Sequence, residues 1–233
     1  MTKKAKALCI IPARGGSKRI PRKNILPLNG IPLISYSIRS AKEAGVFDKI
    51  IVSTDDAEIK AVALQEGVDV DDRPEAMAGD RVTKVQVIKE YLERRGHEEH
   101  FDIVAAVLPT CPFRSPEDVR TAYERFVNQD KYEFLIGVVE YAFPIQFALS
   151  LDEHQVATME TPEGYQQTRS QDKRKMYHPN GSIYMATVPA FQRKGTFFNE
   201  TMLTHEMPAL RSFDIDYPEQ FEMAEIIAQK LSS

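Results

Sequence analysis

A cluster of basic side chains follows the first apolar segment of the chain. Ala7 to Ile11 (ALCII) is short and apolar, which is typical of a strand buried on both faces. Five cations then lie within ten residues, in a loop that contains Arg14, Gly15, Gly16, Ser17, Lys18, Arg19, Arg22, Lys23 and Asn24. Because glycine lets backbone N–H groups approach a ligand closely, such a loop suits a polyphosphate. The alternative is an ordinary solvated turn.

The spacing of this basic loop differs from two familiar phosphate-binding patterns. It is not the GxxxxGK[ST] pattern of P-loop enzymes. It is also not the GxGxxG pattern that is followed by a ribose-binding acid. The loop therefore belongs to neither of these classes.

Two acidic residues near the end of the chain could bind a metal ion. Arg211 to Asp216 (RSFDID) alternates as a strand does, and side chains two apart on a strand project from the same face. Asp214 and Asp216 could thus direct two carboxylates to one point, with Cα atoms roughly 7 Å apart. Mg²⁺ commonly takes one or two carboxylates, with phosphate oxygens and water as its other ligands. The alternative is a helix cap before Pro218, for which Asp216 is better placed than Asp214.

The rest of the chain predicts an α/β fold in which these residues can meet. Strand-like runs alternate with amphipathic helical segments, which is typical of a mostly parallel sheet flanked by helices. In such open sheets, ligands bind outside the carboxyl ends of the strands. The segments expected there are the basic loop, Thr54 to Asp56, Pro109 to Arg114 and Asp214 to Asp216. Cations at one end of a site and paired acids at the other could catalyse the transfer of a nucleotide phosphate.

The predicted elements can be given bounds. Strands are expected over residues 7–11, 49–53, 68–70, 103–108, 134–139 and 181–186, and helices over residues 32–44, 57–65, 83–95, 115–128 and 218–231. Asp55 or Asp56 can cap the second helix, and Ser115 with Asp118 resembles a capping box. Between residues 140 and 180 the pattern changes to hairpin-like alternation and a basic segment. We expect this excursion to bind a partner.

Composition limits the classes of protein that the chain can be. Its 233 residues and 42% hydrophobic content suit one α/β domain with a buried core. The net charge is −4, so the basic loop is local and favours a small anion over a nucleic acid. The apolar runs are too short for a membrane span or a signal peptide. Cys9 and Cys111 are expected to be reduced core residues, which favours the cytoplasm.

Six motifs follow one another in an order found in a known family. They are Ile11 to Asn24 (IPARGGSKRIPRKN), Val52 to Asp56 (VSTDD), Arg73-Pro74 with Asp80 beyond, Leu108 to Arg114 (LPTCPFR), Asn180 to Tyr184 (NGSIY) and Phe213 to Asp216 (FDID). In this order the chain resembles the CMP-sialic acid synthetases, also called acylneuraminate cytidylyltransferases. The resemblance covers most of the chain, and the first motif and the last two are specific.

The resemblance implies a fold, a reaction and an assembly. The fold would be the Rossmann-like one of the nucleotide-diphospho-sugar transferases, as a single cytidylyltransferase domain over residues 1–233. The reaction would convert CTP and an acidic, nine-carbon keto sugar into the CMP-sugar and pyrophosphate, with Mg²⁺ as cofactor. The assembly would be a homodimer, with residues 140–180 as an inserted arm for dimerisation and sugar binding. No nucleic acid or membrane partner is expected.

The resemblance also implies roles for individual residues. The CTP phosphates would be held by Arg14, Ser17, Lys23 and Asn24, with Arg73 near the nucleotide. Further substrate-binding residues would be Gly15, Gly16, Pro109 and Thr110. Asp214 and Asp216 would hold Mg²⁺ and, with Arg14 and Lys23, form the catalytic set. Arg169 would enter from the partner subunit to bind the sugar carboxylate, and the sugar pocket would be lined by Asn180, Gly181 and Tyr184.

Three positions depart from the family's pattern and leave the sugar open. Leu108 stands where glutamine is common, Arg81 to Lys84 replaces a stretch rich in serine and threonine, and His178 stands where arginine is common. Sialic, legionaminic and pseudaminic acids are all candidates. The nearest alternative is transfer to the eight-carbon 3-deoxy-manno-octulosonate, against which Gly15-Gly16 and Asn180-Gly181 speak. An alternative of another class is a non-catalytic module that binds anions or nucleic acid.

Overall fold

Short apolar segments form the strands of a central sheet. The computed structural model describes residues 5–96, 99–162 and 169–232. The strands are β1 (Ala7–Pro12), β2 (Pro27–Leu28), β3 (Ile31–Pro32), β4 (Lys49–Thr54), β5 (Asp69–Asp72), β6 (Ile103–Val107), β7 (Phe134–Glu140), β8 (Leu149–Leu151), β9 (Ala157–Met159), β10 (Tyr177–Thr187) and β11 (Leu203–Glu206). β1, β6 and β7 are almost wholly buried, which explains why their sequences are continuously apolar.

The helices begin and end where local chemistry favours it. They are α1 (Leu33–Ala44), α2 (Ala57–Gln65), α3 (Lys84–Arg95), α4 (Pro116–Val127), α5 (Val188–Lys194) and α6 (Pro218–Ser232). Asp56 caps α2 by accepting hydrogen bonds from two backbone N–H groups, and Ser115 and Asp118 form a capping box on α4. Gly45 ends α1 in the left-handed conformation, with φ +68°. The predicted caps at Asp56 and Ser115 are therefore confirmed.

The sheet topology creates a crevice beside β1. Seven strands lie in the order β11-β7-β10-β6-β1-β4-β5, and β10 alone among them runs antiparallel to its neighbours. The predicted mostly parallel sheet flanked by helices is thus confirmed. β4 lies on one side of β1 and β6 on the other, so the direction of winding reverses at β1. Such a switch point is where open sheets bind ligands, here between the loops after β1 and β6.

Alternating side chains of the sheet pack into helices on both faces. On one face Leu8 and Ile10 join a buried cluster with Ile88 of α3 and Phe191 of α5. On the other face Cys9 and Ile11 join a cluster that includes side chains of α1 and α2. The Cys9 and Cys111 thiols are free and fully buried, as expected of core cysteines. This two-sided packing fixes the strand ends that carry the site.

One predicted strand is wrong, and some short elements were not predicted. Residues 211–216 form no strand: a 3-10 turn over Ala209–Ser212 leads into extended chain outside the sheet. The apolar alternation of residues 211–216 has another cause: Ile215 is buried against Leu28, Leu33 and neighbouring apolar residues. The sequence reading also missed α5, β11 and the small β2–β3 pair.

The excursion after β7 contains the hairpin that its alternation predicted. β8 and β9 pair antiparallel and are exposed along their whole length. Part of the predicted arm, residues 163–168, lies outside the described residues. Within the described ranges, no helix combines the length and the apolar character that crossing a bilayer requires.

Candidate active site

The basic loop is fastened to the carboxyl ends of β1 and β4. The Gly15 N–H donates to Asp55 Oδ1 at 3.0 Å, and the buried Asn24 amide donates to the Arg14 carbonyl at 2.9 Å. A Cβ on Gly15 would lie 2.5 Å from Asp56 Oδ2, so the close approach to β4 requires glycine. Gly16 has open space around it. The Gly15 N–H, expected to face a ligand, is thus used to hold the loop.

The cations of the basic loop are paired with acids that surround it. Arg14 and Lys18 contact the two oxygens of Asp80 at 2.9 and 2.5 Å. Lys23 Nζ contacts Asp216 Oδ1 at 3.1 Å and the Ile215 carbonyl at 2.7 Å, while Arg19 contacts Asp216 Oδ2 at 3.4 Å. The exposure of the cations in these pairs ranges from 12% for Lys23 to 75% for Lys18, and the exposed pairs of Lys18 and Arg19 contribute little to stability. An arriving polyanion can replace the acids.

A cleft of about 230 Å³ lies between the basic loop and the loop after β6. Its lining includes the predicted site residues Arg14, Ser17, Lys23, Asn24, Arg73, Pro109 and Thr110. A neighbouring basin shares Arg14, Ser17 and Lys23 and adds Asp216. The cations near the start of the chain and an acid near its end therefore converge on one concave region.

Asp214 and Asp216 differ in environment although they lie two residues apart. Asp216 is half exposed and paired with Lys23, and its backbone N–H donates to Gln220 Oε1 in the first turn of α6. Asp214 is partly buried, and burial, together with the charge of Asp216, raises its pKa. Between them, the Ile215 N–H donates to the Thr110 carbonyl at 2.9 Å.

Asn180 and Gly181 adjoin the acidic segment, residues 212–216: Asn180 bonds Ser212, and Gly181 lies close to Asp214. The buried Asn180 amide donates to Ser212 Oγ at 3.0 Å, and its Oδ1 accepts from the Ser182 N–H. Gly181 has φ +73°, and a Cβ there would lie 2.8 Å from Asp214 Oδ2. The structure therefore gives both residues a positioning contact with the acidic segment, which the sequence did not reveal.

An ion pair at the N-terminus of α4 holds Arg211, which directly precedes the acidic segment. Arg211 donates two hydrogen bonds to the buried Asp118, at 2.8 and 3.0 Å. Burial raises the pKa of Asp118, but contacts with His205, Arg211 and Ser115 outweigh it and hold that pKa well below its usual range. The carboxylate is thus charged at neutral pH, and the turn before Asp214 is fixed.

Several predicted residues lie outside the linings of the cleft and of the neighbouring basin: Gly15, Gly16, Arg169, Asn180, Gly181, Tyr184 and Asp214. Arg169 is exposed on the excursion and borders neither the cleft nor the neighbouring basin. Tyr184 is 4% exposed, and burial raises its pKa to about 12. The Lys84 ammonium group lies over the Tyr184 ring, and the centres of the Tyr184 and Phe198 rings are 6.0 Å apart. Arg169 as a contact from a partner subunit stays a prediction.

The sequence reading missed Lys84 as a member of the site. Lys84 lines the cleft from the first turn of α3, beside Arg73 and Thr110. The sequence departs from the family's pattern over Arg81 to Lys84, and this departure could have drawn attention to Lys84. The sequence did not show, however, where the Lys84 side chain would lie.

Comparison with solved structures identifies the class of fold to which the chain belongs. The fold is shared with the solved structure of CMP:2-keto-3-deoxy-manno-octonic acid synthetase complexed with CTP, at a TM-score of 0.72 and 20% identity. That match covers 97% of this chain and all of the other. The identity is low, so this likeness establishes the fold alone.

The chain belongs to the cytidylyltransferase family, whose sequence model matches residues 8–231. It is 37% identical over 224 residues to the pseudaminic acid cytidylyltransferase of Campylobacter jejuni, covering 95% of this chain and 96% of that one. It is 33% identical over 227 residues to the N-acylneuraminate cytidylyltransferase of Escherichia coli O18:K1:H7, covering 97% of this chain and 53% of that one. The predicted family is confirmed, and the alternative of a non-catalytic module is dropped.

Proposed function

We propose that this chain transfers CMP from CTP to the anomeric hydroxyl of a nine-carbon keto acid sugar. In this reaction the C2 oxygen attacks the α-phosphorus, the bond to the β-phosphate oxygen breaks, pyrophosphate leaves, and the hydroxyl proton is released. The observation that carries the proposal is the convergence of the basic loop and Asp216 on one concave region. Full-length likeness to a pseudaminic acid cytidylyltransferase supports the choice of sugar class. The eight-carbon alternative is less supported, because the synthetase structure named for it matches at 20% identity.

The proposed roles follow from where charge develops. Arg14, Ser17 and Lys23 line both the cleft and the neighbouring basin, so they can bind the triphosphate and stabilise the charge of the leaving pyrophosphate. Arg73 is buried at the cleft, and its Nε has no hydrogen-bond partner among the described residues. It can therefore donate to the nucleotide. Thr110 and Pro109 complete the lining.

The acidic segment suits a divalent cation, which we propose is Mg²⁺. The buried Oδ1 of Asp214 lacks a hydrogen-bond partner among the described residues, and a cation would satisfy it. The described residues contain no cluster of three or more metal-ligating side chains. Asp214 and Asp216 would thus hold the ion together with phosphate oxygens and water. Bound there, Mg²⁺ would neutralise phosphate charge and polarise the α-phosphate.

We also propose that two copies of the chain pair through the excursion. Large apolar side chains are exposed along it: Phe143, Ile145, Leu149, Leu151, Val156, Met159 and Met176. A two-stranded hairpin exposed on both faces is marginal by itself, and a second copy would cover this apolar surface. Pairing would also offer a route for Arg169 to reach the sugar carboxylate of the other subunit, beside Asn180, Gly181 and Tyr184. Light scattering on the wild type and on Leu151→Glu tests the pairing, and a monomeric wild type would contradict it.

A substrate panel tests the activity itself. The protein, Mg²⁺ and CTP are incubated with sialic, pseudaminic or legionaminic acid, and separately with 3-deoxy-manno-octulosonate. Pyrophosphate release is followed, and the nucleotide product is identified by mass spectrometry. We expect a CMP-sugar from at least one nine-carbon acid and much slower turnover of the eight-carbon acid. We also propose that the chain acts in the cytoplasm, where CTP is made. No release with any nine-carbon acid would overturn the proposal.

A further inference from the structure

Lys84 places a cation in the cleft on an element separate from the basic loop. It is the first residue of α3, whose N-terminus is closed by a Thr83–Gln86 capping box. Its Nζ lies 3.7 Å from the centre of the Tyr184 ring, and its side chain lines the cleft with Arg73 and Thr110. The basin that collects Lys18, Arg19 and Asp216 does not include Lys84. Lys84 therefore shares the cleft with Arg14 and Lys23 of the basic loop but, unlike them, does not border the basin.

The positive charge of Lys84 is half-buried without a salt bridge. No carboxylate among the described residues forms an ion pair with it, although the charge of Asp214 acts on it at longer range. Burial lowers the pKa of Lys84. A buried ammonium group without an ion pair costs free energy, and such costs are typical of sites that await an anion. The tyrosine ring below offers a cation–π contact but no counter-ion.

The chemistry of the acceptor indicates which anion this is. In a 2-keto acid sugar the carboxylate carbon is bonded directly to the carbon whose hydroxyl attacks the α-phosphorus. When that hydroxyl is near Asp214, the carboxylate must be within a few ångströms of it. The cations of the basic loop are assigned to the triphosphate, so none of them is left to bind the carboxylate alone. Resting on the proposed function, we infer that Lys84 binds the acceptor carboxylate from within the same subunit and so selects for keto acids.

A comparison of acid and amide substrates tests this inference. Lys84→Met removes the charge but keeps the length of the side chain, and Lys89→Met, on the exposed side of α3, serves as the matched control. We expect Lys84→Met to raise the KM for the keto acid by about 10- to 100-fold, the effect of one charge-assisted hydrogen bond. The KM for CTP should stay within about threefold, and Lys89→Met should behave like the wild type.

The primary amide of the same sugar provides the decisive arm. The wild type should turn the amide over less efficiently than the acid by a factor similar to the loss in Lys84→Met. Lys84→Met should discriminate little between acid and amide. A purely structural Lys84 would leave the wild-type discrimination intact in the variant, and that result overturns the inference. A rise confined to the KM for CTP overturns it too, since it would assign Lys84 to a phosphate.

Failure of the inference can be told apart from failure of the proposed function. If the wild type makes no CMP-sugar, the proposed function fails and the inference with it. If the wild type is active and Lys84→Met keeps its preference for the acid, only the inference fails. CTP binding by calorimetry and the melting temperature are measured for each variant. A misfolded Lys84→Met is replaced by Lys84→Gln, for which the same outcomes apply.

Discussion

The two sides of the cleft hold their charges in different ways. On the basic loop, Lys18 and Arg19 are more than half exposed, and the acids that pair with them are nearly half exposed too. Around Asp214, the supporting groups are buried: Asn180 is 2% exposed, and the Asp118 side chain that anchors Arg211 is 5% exposed. One side therefore has charges that solvent and ligands can rearrange, whereas the other has charges fixed by the fold.

This difference matches the two tasks of a nucleotidyl transfer. Binding a triphosphate requires cations that can exchange one set of anions for another, and exposed ion pairs exchange readily because each is weak. Stabilising a transition state requires charges that do not reorganise during the reaction. Variants on the buried side should consequently reduce turnover or stability, and variants on the exposed side should mainly change the affinity for CTP.

The largest effect is expected at Asp214. Asp214→Asn removes the charge at nearly constant volume, so turnover should fall by at least about 100-fold if the carboxylate holds the cation. The melting temperature should stay level or rise, because burial of a charge disfavours the folded protein. Asp216→Ala should lose a similar amount of activity without gaining stability. Pyrophosphate release and thermal melts check both, with Glu219→Gln as a control acid on α6. Full activity of Asp214→Asn would remove the metal assignment.

Lys23 should matter more than any other cation of the basic loop. Its side chain is 12% exposed and is tied to Asp216 and the Ile215 carbonyl, so it bridges the two sides of the cleft. Lys23→Met should raise the KM for CTP by about 10- to 100-fold and also lower turnover. Lys18→Met, whose side chain is 75% exposed, should raise the KM by only a few fold. Equal effects of the two substitutions in steady-state kinetics would contradict the division between exposed and buried charges.

Arg211 should affect stability more than chemistry. Arg211→Met leaves Asp118 buried with fewer partners, which should lower the free energy of unfolding by about 2 kcal/mol, less than for a fully buried pair. A carboxylate whose pKa is lowered by folding stabilises the protein above its unfolded pKa of about 3.9 and loses that contribution as the pH falls. The gap between wild type and variant should therefore narrow below about pH 4. Urea titrations of the wild type and of Arg211→Met at several pH values check this. A substitution that breaks the exposed pair of Arg193 and Glu133 serves as the control.

Local patterns predicted the parts of this molecule that depend on neighbours in sequence. The caps at Asp56 and Ser115, the buried strands and the basic loop each follow from residues a few positions apart. Arg211 to Asp216 misled because Ile215 is buried outside any sheet, and apolar alternation does not distinguish that from a strand. Lys84 could not be placed, because its neighbour Tyr184 lies 100 positions away and meets it only through the packing of α3 on the sheet.

The smallest effect is expected at Asp80, and it tests the exposed side most directly. Asp80→Asn frees Arg14 and Lys18 from their shared acid. The free energy of unfolding should change by less than about 1 kcal/mol, because exposed pairs contribute little. The KM for CTP should stay within about threefold or fall, most visibly at low salt, where charges are less screened. If the KM rises more than tenfold, Asp80 orients Arg14 rather than merely neutralising it. The loop would then be as preorganised as the Asp214 side, and the distinction between the two would not hold.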